Sequence, residues 1–235
     1  MRLIRAKNYD DMSLKAANII AAQVSLNPKS VLGLATGSTP IGTYRHLVEW
    51  YQKGELDFGK AVSINLDEYC GLSGEHPQSY RRFMRENLFN HINIPADRSF
   101  LPDGTQTDSA LECARYDRII EEHNDIDLQL LGIGRNAHIG FNEPDSCFAC
   151  GTHQVTLTES TIAANTRFFE NEAQVPRQAY SMGMQAIMQA KRVLLIASGA
   201  DKAEAIRNSF FGPVTPQVPA SILQPVSYTH LTLPT

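Results

Sequence analysis

The sequence predicts an α/β fold of the doubly wound kind: a single domain built on one mostly parallel, Rossmann-like sheet with helices on both faces. Two observations predict it. Short apolar runs alternate with stretches of helical spacing along the whole chain, the pattern of repeated βαβ units. The chain also has 235 residues, 43% of them hydrophobic and 20% charged, enough to bury one large core.

The elements follow in order. Tyr9, Met12, Ala16, Ile19, Ile20 and Gln23 mark one mostly apolar helical face, which Asn27-Pro28 brings to an end. Residues 31–35 read as a buried strand. Pro40 suits the first turn of a helix that runs to about Gly54. The cycle then repeats, with strands at 61–66, 128–133 and 193–197, a further short strand at 154–157, and helices at 78–91, 107–123, 180–190 and 201–211. Trp50, Met182, Met184 and Met188 belong to the core or its margin.

Composition narrows the function. Lys and Arg number 21 against 25 Asp and Glu, and the net charge of −4 argues against a dedicated nucleic-acid binder. The start has no apolar stretch long enough for a signal peptide, and nothing approaches a membrane span, so a soluble cytoplasmic protein is expected. The cysteines Cys70, Cys113, Cys147 and Cys150 form no disulfide framework and are expected as reduced thiols. Cys147-Phe148-Ala149-Cys150, with His153 nearby, lacks a second pair at zinc spacing, which favours free thiols over a structural metal.

In such folds ligands sit beyond the carboxyl ends of the strands. Four strand-end loops therefore matter. Thr36-Gly37-Ser38-Thr39-Pro40 fits either a phosphate cradle at a helix start or an ordinary cap. In Asn65-Leu66-Asp67-Glu68-Tyr69 two carboxylates close an apolar strand, where shielding from water would raise a pKa toward that of a general base. Neighbouring strand residues point to opposite sides, so only one of Asp67 and Glu68 faces the crevice. The third loop runs from Gly132 through Asn136, His138 and Glu143 to Pro144. His138 can exchange protons near neutrality, Glu143 is placed to orient it, and Asn136 can bond a sugar hydroxyl or the imidazole. In the fourth, Lys202 stands in a first helical turn, a position the helix dipole disfavours for a cation unless an anion is present. Arg167, flanked by aromatic residues, is a second candidate cation, and either could equally be a solvated surface charge. Together with the Gly37 loop the two would make a phosphate clamp.

The sequence resembles the glucosamine-6-phosphate deaminase family from Met1 to about Gln224. The resemblance rests on Leu34-Ala35-Thr36-Gly37-Ser38-Thr39-Pro40, Asn65-Leu66-Asp67-Glu68-Tyr69, the run Gly132 to Pro144, and Asn165-Thr166-Arg167-Phe168-Phe169. It implies conversion of glucosamine 6-phosphate and water to fructose 6-phosphate and ammonia, with no redox cofactor and no catalytic metal. It further implies that Asp67 is the general base between C2 and C1, and that His138 opens the sugar ring. Glu143 and Asn136 would assist that histidine. Thr36, Gly37, Ser38, Thr39, Arg167 and Lys202 would form the phosphate site. The partner is thus a small sugar phosphate, with no nucleic acid or membrane, and the expected state is a monomer or small homo-oligomer.

Two departures stand out. Ala137 occupies a position where the family usually has Gly, so a positive φ there would strain the loop before His138. Beyond residue 224 the sequence leaves the family pattern. Residues 1–224 are read as the catalytic domain, and 225–235 as an atypical tail, of foreign origin, in place of the family's last strand. Residues 228–233 nevertheless alternate well enough for a short strand, and loss of a last strand would expose an edge and lower stability. A 6-phosphogluconolactonase-like hydrolase and a non-catalytic sugar-phosphate sensor are the rival readings. Phe141-Asn142-Glu143-Pro144 stands where the lactonases carry a different run, and no additional partner domain is visible.

Overall fold

The computed structural model describes residues 2–226 and 229–234, the last six as backbone. β1 (Arg2–Ala6) leads into α1 (Tyr9–Leu26), whose cap is Asn8, with Asp10 and Asp11 in the first turn. β2 (Val31–Leu34), α2 (Ile41–Gln52), β3 (Val62–Asn65), β4 (Asp67–Tyr69), α3 (Tyr80–Asn87) and β5 (Ser99–Phe100) follow. The second half holds α4 (Ser109–Glu122), β6 (Leu128–Leu131), β7 (His153–Thr156), α5 (Glu159–Asn165), β8 (Gln178–Ser181), α6 (Met184–Gln189), β9 (Val193–Ile196), α7 (Ala203–Phe211) and β10 (Thr229–Pro234).

Seven strands make one sheet in the order β1-β10-β9-β6-β2-β3-β5, and every pairing in it is parallel. β2, β6 and β9 are buried along their whole length, as a sheet covered on both faces requires. The order fixes where the helices go. The connections through α1, α2 and α3 all run toward β5. The later ones, through α4, α6 and α7, run back toward β1. Right-handed crossovers in opposite directions lie on opposite faces, which makes the sheet doubly wound. α1 packs on α2, and α2 on α3, in agreement.

A second, antiparallel sheet, β4-β8-β7, covers one end of the first. It has its own small core of Tyr69, Phe141, Leu157, Ile162, Val175 and Ala179. Here the structure corrects the sequence reading. Residues 180–190 do not form one helix: Gln178–Ser181 is a strand paired with β4 and β7, and only Met184–Gln189 is helical. Tyr180, Met182, Met184 and Ile187 are all buried, so the segment is apolar at both spacings and its periodicity cannot decide between them. β1 and β5 were not expected. β1 is largely exposed and polar, and β5 is only two residues long. The stretch at 201–211 begins as a 3₁₀ turn, Ala200–Lys202, before α7, and α3 is shorter than the expected 78–91.

At the carboxyl end, the backbone of β10 lies between β9 and β1, with Thr229 opposite Val193 and Leu231 opposite Leu3. The place between β9 and β1 is thus filled by residues 229–234. Of the strand expected at 228–233, Tyr228 lies outside the described residues.

Candidate active site

The direction of winding reverses between β2 and β6, which are neighbours in the sheet. Loops leaving their carboxyl ends must diverge, and a crevice opens between them. A cavity of about 270 Å³ occupies it. Its walls are the loops after β2, β6 and β9, the start of β4, Tyr80 of α3, and the segment from α5 to Phe168.

Asp67 stands where the chain passes from one sheet to the other. Leu66 still donates to Leu34 of β2 and accepts from Met182, while Asp67 is already opposite Ser181 of β8. The carboxylate is therefore buried on the cavity wall, 6% exposed. Burial and the charge of Glu68 push it up to about 8, against a hydrogen bond from Thr36 that pulls it down. The strand register explains that bond: Leu34 of β2 pairs with Asn65 of β3, so two residues further on Thr36 comes beside Asp67.

Glu68 faces the other way, as alternation along a strand requires. Its Oε1 accepts from the Tyr69 and Tyr80 N–H groups and its Oε2 from that of Arg81, all at 2.9 Å. It satisfies the amino end of α3 and so fixes the helix that carries Tyr80. Burial raises it to about 7 although those three donors pull it down.

The loop after β6 carries a hydrogen-bonded group. Glu143 Oε2 accepts from Asn136 Nδ2 at 2.5 Å and from Thr158 Oγ1 at 3.3 Å, and lies 3.5 Å from His138 Nδ1. His138 Nδ1 is 3.4 Å from Thr161 Oγ1, and its backbone N–H donates to Asn136 Oδ1. Burial pushes Glu143 up, but His138, Thr161 and Asn136 outweigh it and leave the carboxyl below its ordinary value. A carboxylate at Nδ1 directs the imidazole's other nitrogen away from itself. Asn142 holds the turn, its Nδ2 donating to the carbonyls of Ile139 and Met182. A Cβ on Gly134 would stand 2.6 Å from the His138 ring, so only glycine lets the ring lie across the loop. Ala137 has φ +68°, the left-handed conformation its position implied.

The wall of the same cavity carries cations. Gly37, Ser38 and Thr39 line it with Thr36, Arg167 and Lys202, and Gly37 turns at φ +93°. The Arg167 guanidinium reaches Ser38 Oγ at 3.5 Å and rests 4.7 Å above the Phe168 ring. Burial, with the nearby Arg135 and Arg167, holds Lys202 below its ordinary value against the pull of Asp201.

All the candidate residues but one thus line a single cavity. Glu143 stands behind it, in contact through Asn136 and His138. Arg135, Asp201, Tyr80, Thr158 and Thr161 were not singled out from the sequence. Thr158 could have been, because it follows the strand expected at 154–157, a fifth strand-end loop. Cys147 and Cys150 are exposed free thiols, and among the described residues no group of three or more His, Cys, Asp or Glu side chains could hold a metal ion. No helix among the described residues is long and apolar enough to cross a membrane.

The model of the family of glucosamine-6-phosphate isomerases and 6-phosphogluconolactonases matches residues 6–232. The chain belongs to this family. A glucosamine-6-phosphate deaminase of Lachnoclostridium phytofermentans is 60% identical over 224 residues, 95% of each chain. The solved structure of a monomeric glucosamine-6-phosphate deaminase superposes with a TM-score of 0.97 at 44% identity, over 99% of this chain and 97% of that one. A 6-phosphogluconolactonase from Leishmania guyanensis shares the fold, with a TM-score of 0.77 at 20% identity over 99% and 96% of the two chains.

Two outcomes follow from the family member's own geometry. Ala137→Gly removes left-handed strain and is expected to raise stability by about 1 kcal/mol in urea unfolding. Asp67→Asn is expected to raise the melting temperature, and more so at high pH. The folded protein holds a proton on Asp67 up to about pH 8, whereas an unperturbed aspartate releases it near 3.8. Wild-type stability therefore falls as pH rises between those values, and an amide does not titrate. Melting curves at pH 5 and pH 9 check this, with a gap larger by on the order of 5 °C at pH 9.

Proposed function

We propose that this chain converts glucosamine 6-phosphate and water to fructose 6-phosphate and ammonia, a step in amino-sugar breakdown. The observation that carries the reading is the polarity of one cavity: a buried carboxylate and a carboxylate-backed imidazole share it with a cluster of cations. The 60% identical relative bears that activity in its name. His138 moves the proton between the C1 hydroxyl and the ring oxygen, which opens the pyranose to an aldehyde. The C2 proton is then acidic, and Asp67 removes it and returns it to C1. The enolamine becomes a ketimine, and water releases ammonia and leaves the ketose. Glu143 and Asn136 keep His138 oriented, and each acid–base group is worth roughly 10²–10⁴-fold. Ser38, Thr39, Arg167 and Lys202 hold the phosphate, fixing C2 against Asp67.

In this reading residues 1–224 form the catalytic domain and residues 225–235 stand in for the family's last strand. The enzyme works in the cytoplasm as a monomer or small homo-oligomer, without cofactor, metal, nucleic acid or membrane. The likeness to a monomeric deaminase supports the smaller state.

The deciding assay is incubation with glucosamine 6-phosphate and measurement of both products. Ammonia and fructose 6-phosphate in equal amounts support the reading. Hydrolysis of a 6-phosphogluconolactone without ammonia supports the lactonase, and binding without turnover supports a sensor. The pH profile makes a sharper test. A general base acts ionised, so the acid limb of kcat/KM is expected to have its midpoint at about 8, the value to which burial and Glu68 push Asp67. Thr36→Val removes the one hydrogen bond that favours the ionised form, and should move that midpoint upward by about half a unit to one unit. A midpoint that does not move would take Thr36 out of this role.

A further inference from the structure

Arg135 lines the cavity, and the phosphate site as proposed above makes no use of it. It follows β6 in Gly132-Ile133-Gly134-Arg135, and its Nε donates to Asp201 Oδ2 at 2.8 Å. Asp201 lies after β9, in the 3₁₀ turn that also carries Lys202. β6 and β9 are adjacent in the sheet, so this ion pair ties two neighbouring strand-end loops in the wall of the cavity. The terminal nitrogens of Arg135 make no hydrogen bond among the described residues, and the guanidinium is well exposed.

The charges can be counted. Arg135, Arg167 and Lys202 contribute three positive charges among the lining residues and Asp201 one negative charge, while Asp67, pushed up to about 8, is protonated at pH 7, which leaves a net of two positive. A phosphate monoester carries about −1.5 to −2 near neutrality. The match is to a dianion. Asp201 is at the same time the group that such a dianion resembles, an anion with an oxygen held by the guanidinium of an arginine.

We propose that Arg135 is a third phosphate-binding cation of this cavity and that Asp201 is a built-in competitor for it, giving up the guanidinium to the incoming phosphate. The inference rests on the sugar-phosphate reading of the site. It adds a source of selectivity. An arginine whose charge is already partly offset by a carboxylate gives less to a weak or singly charged anion than to a phosphate of higher charge. Specificity arises here as a difference in affinity produced by an opposing group.

The opposite view is that Asp201 only props Arg135 and Lys202 in position. The two views predict opposite signs. The test uses the full chain at pH 7 with inorganic phosphate as the probe, titrated calorimetrically and as a competitive inhibitor of turnover. Asp201→Asn keeps the size of the side chain and removes its charge. It is expected to tighten phosphate binding by about 3- to 10-fold. Arg135→Ala is expected to weaken it about 10-fold or more, with KM for the sugar phosphate rising more than kcat falls. Arg135→Lys, with the charge but not the fork, should fall between wild type and alanine. Both positions are solvent-facing, and unchanged melting temperatures verify that the variants fold. Weaker phosphate binding by Asp201→Asn, or an Arg135→Ala variant that binds phosphate like wild type, overturns the proposal. A wild-type protein that binds phosphate with these signs but releases no ammonia from glucosamine 6-phosphate refutes the deaminase reading and leaves the anion-site assignment in place.

Discussion

Removing a carboxylate from water without a cation beside it costs several kcal/mol, and Asp67 is a carboxylate in that position. The groups that act on its charge are Glu68, which repels it, and Thr36, which donates to it. Around it stand the rings of Tyr44, Tyr69, Tyr80 and Tyr116, whose own hydroxyls are held well above their ordinary pKa by burial and, in part, by this same aspartate. Such a carboxylate is a stronger base than one in water, and it is poised near neutrality because the surroundings give it so little help. The fold has to hold that arrangement against its cost. It does so by placing Asp67 where the chain leaves the parallel sheet for the antiparallel one, just after Leu66, whose N–H donates to Leu34 and whose carbonyl accepts from Met182.

The adjacent Glu68 shows that burial alone does not make a base. It is nearly as buried, yet its oxygens are taken by three backbone N–H groups at the start of α3. In the proposed reaction one carboxylate serves the chemistry, while its neighbour serves the frame, and the strand's alternation turns them to opposite sides. The same separation runs through the whole cavity. The cations stand on the loops after β6 and β9 and beside α5, and do not appear among the influences on Asp67. A cation beside it would favour the ionised form, lower its pKa and make it a weaker base. A ligand with a phosphate at one end and reactive carbons at the other meets each requirement separately.

Much of this was legible in the sequence because it is local. Strands β2, β6 and β9 are short apolar runs, and the residues after them announce themselves by type: Gly37, Asp67, His138, Glu143. Even the left-handed backbone at Ala137 could be looked for, because the family it resembles usually has glycine at that position. The rest depends on partners far along the chain. β8 was read as helix because Tyr180, Met182, Met184 and Ile187 are buried for different reasons on either side of Gly183, where the chain turns from strand to helix. Arg135 looks like a surface charge until the sheet order brings Asp201, 66 residues away, within 2.8 Å. Thr36 reads from its loop only as a phosphate ligand, and the register of β2 on β3 adds that it stands beside Asp67. Sequence pattern identifies which residues have chemistry; sheet order decides which of them meet.

The costs in this molecule are concentrated at the same place. Ala137 holds a conformation that L-residues avoid, Glu143 Oε1 is buried without a hydrogen-bond partner among the described residues, Lys202 is crowded by two arginines, and the Asp67 carboxyl is buried where its ionised form is disfavoured. Each is a local violation of the rules that the sheet and helices otherwise obey, and each lies on a loop at the carboxyl end of a strand or at the junction of the two sheets. A framework of fully buried parallel strands can sustain such violations because none of its own pairings depends on them. That independence also bears on the last strand. The backbone of β10 pairs with β9 and β1 on the far side of β9 from the crevice between β2 and β6, so the pairing made there lies apart from the two strands that open the site.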